Sequence, residues 1–447
     1  MHTTHTPRRA MAALPALACL ALAAAAWTPQ CVRAAPLDLK GKPVQPEKSA
    51  SSADTPQGRE YRAGLQALLK GDWPESRARF EAALKLDPEG APPLVGLASV
   101  AQAQGDAKAA EQYLQRAEKS APNSAEVHLA WGRFHASQRH AELAERSFRK
   151  AQTLSPGKAP PLVELGGFYM QTGKSAEAQK AYREALAINP KNAVALFGLG
   201  VASAALGQRA EALHAFVAAA AAAPKDPEAP RAAGRLHLEA RAYDKALGAF
   251  DEGLARRPGY LPLMLDRVDA LVGLKRPADA IAQAQAIEKL APKSAEAQIK
   301  LADTYQAAGR WNEAQAGYLK TIELAPGNPL AYNNLAWMTL ERKGDAAQAV
   351  GWAKKAVELS PNSSPLYDTL GWAERAAGNL PGAASSLSKA IQLESDVAGY
   401  HFHLGVVQGE MKQSAAAKAS LQKALQLDKQ LPQADEARRL LRALPAA

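Results

Sequence analysis

Cysteine is nearly absent from this chain of 447 residues. Cys19 and Cys31 are the two thiols, and both lie within residues 1–34. If that segment is removed, as argued below, the remaining chain holds no thiol. This excludes a disulfide framework and a thiolate metal site in the rest of the protein.

The sequence also lacks the motifs of common catalytic sites. It holds no H-E-x-x-H pair and no G-x-S-x-G turn. Gly198 and Gly200 start a nucleotide-loop pattern, but no third glycine follows and no strand precedes them. His128 and His135 share one helical face at positions typical of packing residues. We therefore predict a non-enzymatic protein without catalytic, metal-binding or cofactor-binding residues.

Long apolar runs are missing beyond the N-terminus. Arg8 and Arg9 precede an apolar stretch at residues 10–27, and Val32-Arg33-Ala34 fits a signal-peptidase site. This pattern predicts a signal peptide over residues 1–34, a polar flexible linker over 35–56 and a periplasmic mature protein without a transmembrane domain. The alternative is an uncleaved segment that anchors the protein to the inner membrane.

The chain is basic, with a formal net charge of +10 and a pI of about 9.4. Its lysines and arginines are spread along the sequence among carboxylates, without a long basic run. This distribution is typical of a solvated helical surface. We do not expect a nucleic-acid partner, because basic and aromatic residues do not alternate as in single-strand binding proteins.

Proline, in contrast, recurs at one constant interval, at Pro88, Pro122, Pro156, Pro190, Pro224, Pro258, Pro292 and Pro326. The next proline of the series, Pro361, comes one position late. Such a period indicates one short supersecondary unit stacked many times.

The fourth repeat shows the internal pattern of this unit. Leu162, Leu165, Gly166 and Tyr169 share one helical face, Gly173 marks a turn, and a second helical face carries Ala178, Tyr182 and Ala185. Stacked helical pairs predict a binding scaffold.

This pattern resembles the tetratricopeptide repeat (TPR) family. The resemblance covers residues 57–431 and implies an all-α, right-handed solenoid of about eleven helix-turn-helix repeats. Residues 432–447 are predicted to form a C-terminal cap helix and tail. The repeats are predicted to begin at Gln57, Ala91, Ala125, Ala159, Ala193, Pro227, Leu261, Ala295, Pro329, Ser364 and Ala398.

Two repeats depart from the pattern. The seventh has Arg267 where leucine is expected and Ala284 where an aromatic residue is expected, which predicts loose packing or a bend. The ninth has one extra residue, which we place in the turn at residues 342–344.

The resemblance also implies that first helices line a concave groove. In this chain the early groove would be apolar and the later groove would mix charges, amides and tryptophans. The Lys/Asn clamps of chaperone-binding relatives are not reproduced. An alternative is that neighbouring first helices bury the apolar residues. The predicted partner-binding residues are Val95, Val163, Met170, Phe197, Val201, Arg231, Arg235, Asp269, Asp303, Asn333, Trp337, Asp368 and Trp372.

Three stretches near the C-terminus, AYNNLAW (331–337), LYDTLGW (366–372) and YHFHLG (400–405), are similar to TPR proteins of exopolysaccharide and PEP-CTERM systems of the bacterial envelope. The resemblance implies a scaffold for envelope or exopolysaccharide assembly, with envelope proteins or peptides as partners. Two alternatives are polysaccharide binding on Trp337 and Trp372, whose indole rings would then be accessible, and a regulatory subunit of an envelope enzyme.

Overall fold

The computed structural model describes residues 55–444. The predicted signal peptide and all but the last two residues of the predicted linker lie outside these residues. Within them the chain forms 23 α-helices and no strand. The predicted all-α TPR solenoid is confirmed.

The helices alternate between a first and a second member of eleven pairs, followed by one further helix. The first helices are α1 (Pro56–Lys70), α3 (Ala91–Ala103), α5 (Ala125–Ser137), α7 (Ala159–Gln171), α9 (Ala193–Ala205), α11 (Glu228–Glu239), α13 (Leu261–Gly273), α15 (Ala295–Ala307), α17 (Pro329–Glu341), α19 (Ser364–Ala376) and α21 (Ala398–Glu410). The second helices are α2 (Trp73–Leu86), α4 (Ala107–Ser120), α6 (Ala141–Leu154), α8 (Ser175–Ile188), α10 (Arg209–Ala222), α12 (Tyr243–Arg256), α14 (Pro277–Leu290), α16 (Trp311–Leu324), α18 (Ala346–Leu359), α20 (Leu380–Leu393) and α22 (Ser414–Leu427). The further helix is α23 (Ala434–Ala443).

The proline period therefore locates the helix boundaries closely. Each predicted repeat start is the first residue of a first helix, except Gln57 and Pro227, which are one residue away. The turn between α17 and α18 holds residues 342–345, one more than the turn at 104–106 between α3 and α4. The extra residue of the ninth repeat is thus in this turn, as predicted.

The turn within each helical pair contains a residue in the left-handed backbone conformation, with a positive φ. Gly173 has φ of 74°, a conformation that glycine adopts without a steric cost. Arg139, Arg241, Lys275, Lys343 and Lys412 occupy the corresponding place with φ between 53° and 63°. A side chain there costs about 1 kcal/mol, which these pairs tolerate.

The core is built by aromatic side chains of second helices that pack against glycine backbone. The ring of Tyr182 lies between Gly166 of its own pair and Gly198 of the next pair, and Phe80 lies in the same way between Gly64 and Gly96. A Cβ atom added at Gly166 would stand 2.7 Å from Cε1 of Tyr182. The absence of a side chain therefore lets the helices approach and lets one ring join two pairs.

Leucine takes the role of the ring near the C-terminus, where Leu387 packs against Gly371 and Leu421 against Gly405. The seventh repeat reverses the sizes, since Val268 on α13 and Ala284 on α14 are both buried. A depression of about 300 Å³ lies beside Arg267, whose guanidinium donates to Gln283 Oε1 at 2.9 Å. In this repeat the first helix therefore carries the larger buried side chain and the second helix the smaller one, the reverse of the arrangement at Gly166 and Tyr182. An open surface pocket lies next to them.

The described residues form two compact units, 55–258 and 259–444, called here the N-terminal and the C-terminal unit. In each unit the helical pairs pack against their sequence neighbours. At the end of the C-terminal unit, Ala434 and Ala437 of α23 join a cluster with Phe402 and Leu421. None of the helices in residues 55–444 is long and apolar enough to cross a bilayer.

Gly166→Ala should destabilise the N-terminal unit by about 1–3 kcal/mol, because the added methyl group overlaps a ring that Gly198 confines on its other side. Urea unfolding followed by circular dichroism measures the change. The control is Gly248→Ala in α12, where a Cβ atom meets nothing within 4 Å. That change should stabilise the helix by about 1 kcal/mol. Equal effects of the two substitutions would contradict the packing argument.

Candidate functional site

All thirteen predicted partner-binding residues lie on first helices. In the N-terminal unit, α3 carries Val95, α7 carries Val163 and Met170, α9 carries Phe197 and Val201, and α11 carries Arg231 and Arg235. In the C-terminal unit, α13 carries Asp269, α15 carries Asp303, α17 carries Asn333 and Trp337, and α19 carries Asp368 and Trp372. The first-helix face of each unit is therefore the candidate surface.

The apolar residues of the N-terminal unit are divided between core and surface. Val95 and Val201 are 6% and 8% exposed, and Val201 belongs to a buried cluster with Phe216. Val163, Met170 and Phe197 are only partly buried, and the ring of Phe197 lies 5.4 Å from that of Phe216. The accessible apolar surface is thus narrower than the sequence pattern indicates. Val194 of α9, which the prediction omitted, adds a side chain that is 38% exposed.

The first three pairs of this unit carry a polar contact across the first-helix face. The hydroxyl of Tyr61 on α1 lies 3.5 Å from Oε1 of Glu126 on α5. Desolvation raises the pKa of Glu126 above its usual range, although Arg133 opposes the shift. Desolvation, together with Glu126, also raises the pKa of Tyr61.

A polar ladder joins successive first helices at a separation of 31 residues. Nζ of Lys300 donates to both carboxylate oxygens of Asp269 at 2.8 and 2.9 Å, and Nδ2 of Asn334 donates to Asp303 at 2.9 Å. In the N-terminal unit, Arg133 stands 3.6 Å from Glu164 at the same separation. Asp269 and Asp303 therefore already bond to the next pair, in addition to any role toward a partner. Complementary residues 31 apart are the sequence signal that could have found this ladder.

Lys300 has three carboxylates around it. Burial lowers its pKa, but Asp269, Asp303 and Asp266 outweigh burial and hold the pKa above its ordinary value. The ammonium group therefore stabilises the α13–α15 contact by offsetting repulsion among these carboxylates.

Asp303 and Glu341 are linked by one hydrogen-bonded network. The hydroxyl of Tyr318 lies 2.6 Å from Asp303 Oδ1 and 2.6 Å from Gln306 Oε1. Nε2 of Gln306 donates to Oε2 of Glu341 at 3.0 Å. Gln306 and Tyr318 are buried, so the network fixes the position of Glu341 at the end of α17.

The tryptophan at the centre of α19 is covered by side chains of its own unit. The imidazole of His403 stacks on Trp372 at 4.3 Å, and the guanidinium of Arg375 lies 4.4 Å from the ring centroid. Nδ1 of His403 is 2.7 Å from Asp368, and Arg375 pairs with Glu410. Contacts with His403 and Arg375 therefore already occupy part of the Trp372 ring, which disfavours stacking of a sugar on it.

The histidines singled out in the sequence have packing environments. His128 is 3% exposed, and its Nε2 lies 2.8 Å from the Pro122 carbonyl oxygen. His135 stacks on Trp131 at 5.2 Å, and burial lowers its pKa. Across residues 55–444, no three His, Cys, Asp or Glu side chains are grouped to hold a metal ion.

Comparison with known families identifies the repeats. Models described as tetratricopeptide repeat match residues 67–131, 202–260, 299–364 and 398–431, and one described as TPR repeat matches 166–207. These matches lie within the residues that form the eleven helical pairs. The chain carries tetratricopeptide repeats, a fold that is typically a protein-interaction scaffold.

The chain is similar to mouse mitochondrial import receptor subunit TOM70, at 26% identity over 167 residues, 36% of this chain and 27% of that protein. It is also similar to the Hsp70-Hsp90 organizing protein of Triticum aestivum, at 34% identity over 94 residues, 21% of this chain and 16% of that protein. The chain spans less than a third of the length of these curated relatives. The crystal structure of yeast Tom70 superposes with a TM-score of 0.50 at 14% identity, covering 88% of this chain and 96% of that one, and supports the fold alone.

Lys300→Met should destabilise the C-terminal unit by about 1 kcal/mol, because it leaves Asp266, Asp269 and Asp303 without the shared cation. The folded pKa of Lys300 is raised, so its contribution is complete below about pH 10 and is lost as pH rises through the folded pKa. Urea unfolding at pH 7 measures the loss. Lys320→Met, which removes an exposed pair with Glu323, should change stability by less than about 0.5 kcal/mol. A loss as large in the control would refute the special role of Lys300.

Proposed function

We propose that this protein is a non-enzymatic scaffold that holds protein partners in the periplasm and supports envelope or exopolysaccharide assembly or export. The observation that carries the scaffold role is the stack of tetratricopeptide repeats, a fold that is typically a protein-interaction scaffold. On its first helices some apolar side chains are exposed. Val194 on α9 is 38% exposed and Leu330 on α17 is 47% exposed. Such side chains can anchor an extended peptide or an amphipathic helix.

The names of the curated relatives, an import receptor subunit and an Hsp70-Hsp90 organizing protein, accord with a scaffold that contacts other proteins. They do not suggest which partner binds this chain. The absence of Lys/Asn clamps in the sequence disfavours a chaperone adaptor of that type.

The periplasmic part of the proposal rests on residues 1–34, which lie outside the described structure. Arg8, Arg9, the apolar stretch at 10–27 and the small residues before position 35 support export through a cleaved signal peptide. Retention of the segment would instead anchor the scaffold to the inner membrane.

The exopolysaccharide part rests on the resemblance of the three C-terminal stretches. Many of their side chains also serve packing, since Tyr332, Leu335, Leu366 and Tyr400 are buried. The stretches therefore support the pathway assignment by resemblance only. The contacts on Trp372 disfavour direct polysaccharide binding at that ring, and a regulatory subunit of an envelope enzyme remains the other alternative.

A pull-down after crosslinking in intact cells tests the scaffold role. Val194→Glu and Leu330→Glu place a charge on the first-helix faces and should each reduce recovery of a defined protein partner. The matched controls are Val217→Glu on α10 and Leu319→Glu on α16, which are 65% and 43% exposed on second helices. Circular dichroism checks that all four variants fold. If the controls lose the partner and the first-helix variants keep it, the partner binds the second helices instead.

Fractionation of cells that express the full chain tests the location. The mature protein should appear in the periplasmic fraction, with an N-terminus at residue 35. A full-length chain in the inner-membrane fraction would favour the anchored alternative, and a full-length chain in the cytosol would contradict both.

A further inference from the structure

Two second helices near the C-terminus carry lysines but no carboxylate. α20 and α22 hold Lys389, Lys418 and Lys423, and neither helix contains an aspartate or a glutamate. Each of the other nine second helices, from α2 to α18, contains at least one. Cations and carboxylates are thus mixed on the earlier second helices, whereas the last two are purely basic.

A lysine recurs as the tenth residue of the last four second helices. These residues are Lys320, Lys355, Lys389 and Lys423. In α16 and α18 the thirteenth residue is a glutamate, whose carboxylate lies 2.9 Å from Nζ of Lys320 and 2.8 Å from Nζ of Lys355. Each of these two ammonium groups is therefore paired with a carboxylate of its own helix.

In α20 and α22 the thirteenth residue is a glutamine instead. Nζ of Lys389 donates to Oε1 of Gln392 at 2.9 Å, and Gln426 stands at the corresponding place after Lys423. A neutral amide accepts a hydrogen bond but does not cancel the charge of an ammonium group. Within residues 55–444 no carboxylate forms an ion pair with Lys389, Lys418 or Lys423, so these charges are available to an anion.

The side chains beside Lys389 and Lys423 are small or polar, and they are exposed. They share a helical face by their spacing of three or four residues. They are Ser385, Ser388 and Gln392 on α20, and Ala419, Gln422 and Gln426 on α22. We call these six residues, together with Lys389 and Lys423, the α20–α22 surface. Both helices pack against α21, which fixes them in successive helical pairs.

The carboxylates that follow along the chain stand in the turns after these helices. Oε2 of Glu394 accepts a hydrogen bond from Ser364 at 2.6 Å, and Oδ1 of Asp428 accepts one from the backbone N–H of Gln430 at 2.8 Å. Asp396 follows Glu394 in the first of these turns. The α20–α22 surface itself therefore presents ammonium, hydroxyl and amide groups without a carboxylate.

This surface also lacks an apolar anchor. None of the large apolar side chains that are exposed within residues 55–444 lies on α20 or α22. Protein interfaces depend on a few buried aromatic or apolar anchors, and helices that insert into a membrane surface need an apolar face. The chemistry of this surface instead fits a hydrophilic polyanion.

We propose that the α20–α22 surface binds a carboxylated polysaccharide. The ammonium groups of Lys389 and Lys423 pair with carboxylates of the polymer, and the exposed hydroxyl and amide groups form hydrogen bonds with its sugar hydroxyls. The carboxylates of such a polymer recur along its chain, as the two lysines recur from one helical pair to the next. The inference goes beyond the proposed protein scaffold, because it adds a ligand on a surface that the first-helix variants do not alter.

The test uses the full chain and fluorescently labelled polygalacturonate, with binding followed by fluorescence polarisation. The polymer should bind, and binding should weaken as salt rises from about 50 to 200 mM because exposed charges are screened. The methyl ester of the same polymer, which carries no charge, should bind about tenfold more weakly, the effect of losing two exposed ion pairs. Equal binding of the polymer and its ester would overturn the proposal.

The double substitution Gln392→Glu and Gln426→Glu removes no cation and restores the glutamates that α16 and α18 carry. Each lysine then has a carboxylate partner, so binding of polygalacturonate should weaken about tenfold. The matched control is Gln112→Glu with Gln115→Glu, which adds the same charge at two exposed positions of α4. An equal loss in the control would show a general charge effect and contradict a site on α20 and α22.

The double substitution Lys389→Gln and Lys423→Gln should weaken binding of polygalacturonate by a similar factor. Its control is Lys320→Gln with Lys355→Gln, which removes the same charge from lysines that are already paired with glutamates. Circular dichroism checks that all four double variants fold. If the control loses as much affinity as the α20–α22 variant, the absence of carboxylates does not define the site and the proposal fails.

Polyglutamate and vesicles of phosphatidylglycerol separate the polysaccharide from other polyanions. Both should compete with polygalacturonate more weakly than unlabelled polygalacturonate does. Stronger competition by polyglutamate would assign the surface to an acidic protein, and stronger competition by the vesicles would assign it to a membrane. If Leu330→Glu abolishes crosslinking to a protein partner while polygalacturonate does not bind the unaltered chain, the scaffold role stands and the polysaccharide site is rejected.

Discussion

The packing of an aromatic ring against bare helical backbone is the contact on which each stack depends. Tyr182 touches Gly166 and Gly198, so its ring joins two helical pairs through the space that two missing side chains leave. Burial of one ring removes roughly 150–250 Å² from water, and the close approach adds dispersion contacts on both sides. Because each ring reaches only its own pair and the next, stability accumulates from neighbour to neighbour along each unit.

The sequence was sufficient to predict this framework because the framework repeats. Several signals indicate the helix boundaries, and they recur in successive repeats. They are prolines at a constant interval, a glycine in many of the turns and small residues opposite large ones. The predicted start of a repeat differs from the observed start of its first helix only at Gln57 and Pro227, by one residue in each case. At Pro227 the neighbouring Asp226 accepts a hydrogen bond from the backbone N–H of Glu228, and α11 begins one residue later.

The candidate surface was less predictable, because position in a repeat does not determine what a long side chain touches. Asp269 and Asp303 lie on first helices as expected, yet each bonds to the following helix. Trp372 was expected to offer its ring to a ligand, but His403 and Arg375 cover it. These contacts depend on the relative rotation of two successive pairs, which a pattern within one repeat does not reveal.

The first helices of the two units differ in the chemistry of their side chains. Val163, Phe197 and Val194 give the N-terminal unit a partly exposed apolar strip, whereas carboxylates outnumber cations on the first helices of the C-terminal unit. A partner that touches both units would do so through separate contacts of different chemistry. Two modest affinities on one chain then combine into a stronger one, provided that the linker between the segments spans the distance.

The polar contacts of the ladder distinguish three of the junctions between successive first helices from one another. Arrays of similar sequence tend to gain or lose copies when their genes recombine, and interchangeable copies would survive such events. Here Glu164 matches Arg133, and Lys300 matches Asp269, with a different chemistry at each step. Removing the fourth repeat would take Glu164 away from Arg133 and leave that guanidinium without this carboxylate. At these junctions the repeats are therefore not interchangeable, although they share one fold.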